Sequence, residues 1–172
     1  MQHIAEKESK SIADLVAESL IQLNGTARTN LIKSGFDDFD NSFGGFGLGE
    51  FVVIGGRPAM GKTQLLVNLS LIISVDTPIL YFTFDLSDYA LTKRFISSIS
   101  DIAINNLLQH NINDDQKDRL ALVEKEFKKY KIFINDSLSN SISALKAHCQ
   151  KMIEEKGVKV IFVDYLQMMR SN

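Results

Sequence analysis

The strongest constraint on this chain is the run Phe51-Val-Val-Ile54, which leads through Gly55 into Gly56-Arg-Pro-Ala-Met-Gly61-Lys62-Thr63. Four successive apolar residues read as a buried strand, and the glycine spacing closed by Lys-Thr is the phosphate-binding loop pattern. The chemistry needs these residue types. Glycines let successive backbone N–H groups curl around a polyphosphate, and the loop ends where a helix N-terminus adds partial positive charge. The residues expected to hold the polyphosphate are Gly56, Arg57, Pro58, Ala59, Met60, Gly61, Lys62, Thr63 and Gln64. Lys62 is read as both a binding and a catalytic residue, reaching the β- and γ-phosphates. Thr63 is read as an Mg²⁺ ligand through its hydroxyl, with phosphate oxygens and waters completing an octahedral shell. The run Gln64 to Ser74 is helix-like, the setting that the loop pattern requires.

The bulk properties narrow the partners. At 172 residues and 45% hydrophobic, the chain has enough apolar material for a core and reads most simply as one domain. Its 19 basic and 21 acidic residues give a net charge of −2, so no global positive field holds nucleic acid. A single cysteine, Cys149, excludes an internal disulfide framework, and no charged-then-apolar leader opens the chain, so a reducing, cytoplasmic setting is expected. The most apolar run, Leu65 to Val75, is interrupted by Asn68, Ser70 and Ser74 and is too short to span a bilayer, so no membrane role is expected.

Periodicity divides the chain. Ile12, Leu15, Val16, Leu20 and Leu23 recur at helical spacing and predict an amphipathic helix ending near Asn24-Gly25, its stripe facing either the domain's own core or a neighbouring subunit. From Thr26 to Glu50 the polar, glycine-rich composition predicts a loop. Further strands are expected at Ile79 to Phe84, Ile132 to Ile134 and Val158 to Val163. Each lacks polar alternation, as strands covered on both faces do. Helical faces are expected from Leu91, Phe95 and Ile99; from Leu120, Val123, Phe127 and Tyr130; and from Ile142, Leu145, Cys149, Met152 and Ile153, the last stopped by Gly157. Alternating strands and helices predict an open α/β fold, a mainly parallel sheet with ligands beyond the strands' carboxyl ends.

Two carboxylates end apolar strands. Asp164 follows Val160-Ile-Phe-Val163 and is placed near Mg²⁺ at the sheet's carboxyl edge. Asp85 follows Tyr81-Phe-Thr-Phe84 and either orients or deprotonates an attacking water or, with Ser87 and Asp88, caps the helix beginning near Tyr89. His148 and Cys149 are adjacent on a helix and point in different directions, so they are not read as a metal pair. Lys125, Lys128, Lys129 and Lys131, mixed with Glu124 and Glu126, read as a solvated helix face. His3 and His110 lie in polar surroundings and carry no assigned role.

Taken in order, Ser34-Gly-Phe-Asp-Asp-Phe-Asp40, Gly44-Gly45-Phe46, Gly49-Glu50-Phe51, Arg57-Pro58-Ala59-Met60-Gly61-Lys62-Thr63, Phe82-Thr-Phe-Asp-Leu-Ser87 and Val163-Asp-Tyr-Leu-Gln-Met168 resemble one family. It is the bacterial replicative DNA helicase family, DnaB type, in its C-terminal RecA-like motor domain. The resemblance runs from about Leu31 onward and implies a partial RecA-like ATPase domain over residues 31–172. Residues 1–30 then resemble the linker helix and connection with which a ring subunit grips its neighbour. The family implies a hexamer that encircles single-stranded DNA and couples ATP hydrolysis to 5′ to 3′ translocation. By that correspondence Lys62 and Thr63 serve ATP and Mg²⁺, Asp164 is the Mg²⁺-linked acid, and Asp85 stands where the family carries a catalytic Glu.

Two departures shape the expectation. Asp85 is one methylene shorter than Glu, and a displacement near 1 Å can cost about a hundredfold in rate. The family pattern continues beyond the Asp164 strand with a phosphate sensor, DNA-contacting loops and an arginine finger, for which these 172 residues offer no counterpart. The function expected is therefore the ATP-binding portion of a replicative helicase. Two others stay open: a non-catalytic nucleotide-binding subunit that regulates a full-length helicase ring, and another RecA-fold ATPase, against which the Asp164-Tyr-Leu-Gln167 stretch argues.

Overall fold

The computed structural model describes residues 9–24, 31–136 and 141–170. His3, the turn at Gly25 and the side chain of Leu23 lie outside the described residues. Two compact units are present, residues 1–31 and 32–172. The first holds α1 (Ile12–Asn24), whose start is capped by Ser11, its hydroxyl oxygen accepting from the Asp14 N–H at 3.1 Å.

The second unit runs α2 (Asp37–Phe43), α3 (Lys62–Ser74), β1 (Ile79–Thr83), α4 (Asp88–Ser100), α5 (Ile104–Gln109), α6 (Asp114–Phe127), β2 (Ile132–Asn135), α7 (Ile142–Lys156) and β3 (Val160–Asp164), closed by a 3₁₀ turn at Leu166–Met168. The three strands are parallel in the order β2-β1-β3, as an α/β fold with crossover helices requires. In register, Ile79 lies opposite both Ile132 and Val160, and Thr83 lies opposite Asp164.

Burial explains why β1 is central. All five of its residues are buried, and their side chains alternate between two helical layers. On one face, Tyr81 packs with Val67 of α3 and with Leu91 and Phe95 of α4, while Ile79 packs with Leu69 and Ile73 of α3. On the other, Leu80 and Phe82 pack with Leu145, Cys149 and Met152 of α7. Covering each large side chain contributes about 1.5–3 kcal/mol. The expected α7 stripe is thus narrower than its periodicity suggested, because Ile142 and Ile153 remain exposed. Gly157 stops α7 as expected. At φ 65° its N–H donates to the Ile153 carbonyl, a left-handed cap that glycine adopts without a Cβ penalty.

Two expectations are corrected. Phe51-Val-Val-Ile54 is not a buried strand: it has no ladder partner among the described residues, and Phe51, Val52 and Val53 are 81%, 52% and 67% exposed. A cavity of about 360 Å³ is lined by this segment and by Val160, Ile161 and Val163 of β3, and of the four residues Ile54 packs against the Leu69, Ile73 and Ile79 cluster. An apolar run is buried only where a neighbour covers it, and among the described residues β3 pairs with β1 alone. The second correction is that the segment expected as loop contains α2. Its first turn carries Asp37, Asp38 and Asp40, which suit a helix N-terminus, and Gly44 at φ 82° closes it. Asp40 ties the element down by accepting from the Ser34 N–H and hydroxyl at 2.9 Å each and from the Gly35 N–H at 3.0 Å. The Ser34 N–H is the main reason its carboxyl is held below the usual carboxylate range.

Candidate functional site

The loop from Gly56 turns at Arg57–Met60, where the Met60 N–H donates to the Arg57 carbonyl, and enters α3 at Gly61. Gly61 stands at φ 84° and Ala59 at φ 62°. For glycine that conformation is unstrained; for Ala59 it costs about 1–2 kcal/mol, the kind of strain that gathers at ligand-binding turns. No side chain caps α3, so its opening N–H groups and their partial positive charge face the loop. That is the geometry of an anion cradle.

Lys62 folds back across the loop. Its Nζ donates to the carbonyls of Gly56 and Arg57, each at 3.0 Å, so the ammonium stands at the loop mouth. Thr63, next on α3, donates its hydroxyl to Oδ2 of Asp164 at 2.8 Å, closing a contact between residues 101 apart in sequence. Helix α3 and strand β3 therefore bring together the hydroxyl and the carboxylate that the sequence separated. Asp164 is buried at 6% exposure, and its backbone carbonyl accepts from the Phe84 N–H at 2.8 Å, anchoring the strand end.

One neighbour of this carboxylate was not selected from sequence. The Tyr81 hydroxyl donates to the same oxygen, Asp164 Oδ2, at 3.0 Å. Burial foremost, then the Asp164 charge and this hydrogen bond, hold the phenol protonated well above its ordinary range. The signal that could have found it is register. Thr83 faces Asp164, and Tyr81 is two residues earlier on the same face, a diagonal neighbour within reach of a long aromatic side chain.

The remaining expected residues divide. Asp85 lies two residues past the end of β1 and is exposed. The cap of α4 is Ser87, whose hydroxyl oxygen accepts from the Ala90 N–H at 3.2 Å, so the cap does not need Asp85. The Gln64 side-chain amide is turned away from the loop: it donates to Asn68 Oδ1 at 3.1 Å and to Ser98 Oγ at 2.7 Å, tying α3 to α4. Arg57, Pro58, Ala59 and Met60 are exposed along the loop. His148 stacks edge-on to Phe82 at 5.7 Å, and burial raises the Cys149 thiol. Among the described residues no cluster of three or more His, Cys, Asp or Glu could hold a metal by itself. No helix of the described residues is long and apolar enough to cross a membrane.

Comparison with known proteins agrees with this frame. The family described as "DnaB-like helicase C terminal domain" matches residues 32–172. A replicative DNA helicase DnaB of Helicobacter pylori is 32% identical over 162 residues, covering 93% of this chain and 33% of that protein. One of Rickettsia typhi is 28% identical over 185 residues, covering 96% and 36%. The chain thus spans about a third of the length of these relatives. A DnaB-like replicative helicase whose structure was described with its primase interactions superposes with a TM-score of 0.80 at 22% identity, over 95% of this chain and 41% of that one. A second solved structure, described as an ATPase domain, gives 0.76 at 22% identity, over 95% and 60%. At that identity the two structures speak for the fold, and with it the RecA-like α/β class expected from the strand pattern. The family match over most of the chain decides kinship: this chain belongs to the DnaB-like helicase C-terminal domain family.

Proposed function

We propose that this chain is the nucleotide-binding portion of a replicative DNA helicase, taking ATP with Mg²⁺ at the loop Gly56–Thr63. The observation that carries the reading is the 2.8 Å bond from Thr63 to Asp164 at the mouth of an uncapped helix N-terminus. The donor set fits Mg²⁺: a hydroxyl and a carboxylate are hard oxygens, and this ion uses one or two protein groups while phosphates and water fill the rest. When bound, Mg²⁺ neutralises charge on the phosphate oxygens.

The chain's own residues supply the remainder. Backbone N–H groups of the loop and of the first turn of α3 hold the phosphates, and Lys62 exchanges its two carbonyl partners for phosphate oxygens. Thr63 and Asp164 hold the metal side, and Asp85 orients the attacking water. Its short side chain makes hydrolysis the step most exposed to misplacement. By family resemblance residues 1–30 are a linker-type helix and its connection, with α1 at Ile12–Asn24, and the assembly is a hexamer on single-stranded DNA in the cytoplasm, formed with further copies of this chain or with full-length helicase subunits. The net charge of −2 gives this portion no electrostatic footprint for DNA, so strand contact belongs to the assembled ring.

Titration of the chain with a fluorescent ATP analogue, with and without Mg²⁺, tests the reading. Saturable binding displaced by ATP but not by adenosine is expected; no saturable binding removes it. The Asp at position 85 favours one second reading, a regulatory subunit that binds nucleotide without turnover. Adding the chain to an intact replicative helicase should then lower that helicase's unwinding, and indifference in sedimentation argues against it.

A further inference from the structure

We propose that Tyr81 is a positioning residue for the Mg²⁺ side of the site, its hydroxyl fixing the Asp164 carboxylate so that Oδ2 stays aimed at Thr63. The inference rests on the nucleotide-site reading above and extends it to a residue outside the phosphate loop and the strand-end acids.

Three features of the structure carry it. The first is convergence: Thr63 Oγ1 at 2.8 Å and Tyr81 Oη at 3.0 Å both donate to one carboxylate oxygen. A carboxylate turns about its last torsion over a broad, roughly two-fold well, so a single donor leaves its oxygens interchangeable. A second donor, approaching from the adjacent strand, selects one.

The second feature is the rigidity of the tyrosine. Its ring is fully buried, edge-on to Phe95 of α4 at 6.3 Å and tilted against Phe162 of β3 at 5.9 Å. Val67 and Leu91 complete the enclosure. The hydroxyl can therefore be placed in one position only, and it carries the position of the α4 layer and the sheet to the carboxylate. The third is that this buried hydroxyl has its hydrogen-bond partner on the site side. Tyrosine is retained in an apolar core where its hydroxyl finds such a partner, and a phenylalanine here would fill the same volume. Asp164, 6% exposed, gains a donor that the solvent does not readily provide.

The consequence is specific. Holding Oδ2 on Thr63 prepares the pair for a cation that demands fixed oxygen geometry, and leaves the phosphate loop untouched. Loss of the hydroxyl should therefore be read in the Mg²⁺ requirement and not in the grip on phosphate.

The test is a Tyr81→Phe variant of the full chain, titrated with Mg²⁺ at fixed fluorescent ATP analogue, beside binding of the analogue in EDTA and the urea unfolding midpoint. We expect the Mg²⁺ midpoint to rise by about tenfold, the loss of one hydrogen bond to a charged group, with affinity in EDTA unchanged. An unmoved Mg²⁺ midpoint overturns the inference. Equal losses with and without Mg²⁺ also overturn it, because they mark a merely structural role. If the unsubstituted chain binds no analogue at all, the nucleotide-site reading itself fails, a result distinct from either.

A second measurement stands should the variant not fold. With 3-fluorotyrosine incorporated, the ¹⁹F resonance of Tyr81 should shift when Mg²⁺ joins the bound nucleotide and not when Mg²⁺-free nucleotide is added. A resonance indifferent to Mg²⁺ overturns the inference.

Discussion

Replacing Lys62 by Ala removes one ammonium and leaves the hydrophobic layers alone, and the structure allows its effect to be worked out. In the chain as it stands Nζ makes two partly exposed bonds to carbonyls of Gly56 and Arg57, each 3.0 Å. Such bonds exchange with water on unfolding, so the loss to stability should be about 1 kcal/mol or less. On binding, those two partners are exchanged for phosphate oxygens. Charge-assisted bonds to an anion are worth about 1.5–3 kcal/mol each, and the carbonyl bonds given up offset about 1 kcal/mol each. The difference over two bonds is about 1–4 kcal/mol, or roughly 5- to 800-fold in dissociation constant. Fluorescence titration with an ATP analogue measures this, with circular dichroism and urea unfolding as controls on folding. A folded Lys62→Ala chain with undiminished affinity would show that the ammonium does not face phosphate, and the assignment of the loop would fall with it.

Other positions make separable predictions. Phe82→Ala opens the β1–α7 layer and should cost about 3–5 kcal/mol in urea unfolding; a loss under about 1 kcal/mol would mean that Phe82 is not the core residue that its full burial implies. Asp85→Glu lengthens the reach of the acid by one methylene and should raise ATP turnover, measured as phosphate release, without changing nucleotide affinity; unchanged or lower turnover would remove Asp85 from the water-orienting role. Asp40 has its carboxyl held below the ordinary value by donors in the folded chain, so its stabilising contribution is complete above that value and disappears as the pH falls through the depressed one. Asp40→Asn should therefore flatten the acid limb of the stability profile, and an unaltered limb would show that the Ser34 and Gly35 contacts do not matter in solution.

Legibility from sequence followed where physical signals are local. Strand β1 could be read because continuous apolar residues with no polar alternation demand cover on both faces, and α3, α4 and α7 supply it. Gly157 could be read because a left-handed cap favours glycine. The Thr63–Asp164 contact was legible in outline, since a phosphate loop and an acid ending an apolar strand have few ways to be arranged in an open α/β sheet. What sequence did not convey depended on a partner. Phe51–Ile54 carries the composition of a covered strand, and composition cannot say whether a covering strand stands beside it. Helix α2 was hidden by its polar, glycine-flanked setting, although Phe39 and Phe43, one turn apart with ring centroids at 5.0 Å, carry a helical spacing. Gln64 reads as a phosphate-binding residue by its place after Lys62-Thr63, yet its side-chain amide donates to Ser98 of α4 at 2.7 Å. Tyr81 needed the register between β1 and β3, which no local pattern contains.

The nucleotide reading requires that backbone N–H groups of Gly56, Arg57 and Ala59 to Gln64 hold a triphosphate. The most direct measurement follows these amides by ¹H–¹⁵N NMR as Mg²⁺ and a non-hydrolysable ATP analogue are added to the full chain. The largest shifts should fall at Gly56, Arg57, Gly61, Lys62 and Thr63, with smaller ones at Asp164 across the 2.8 Å contact. Shifts centred on another part of the chain, or none at saturating analogue, would contradict it.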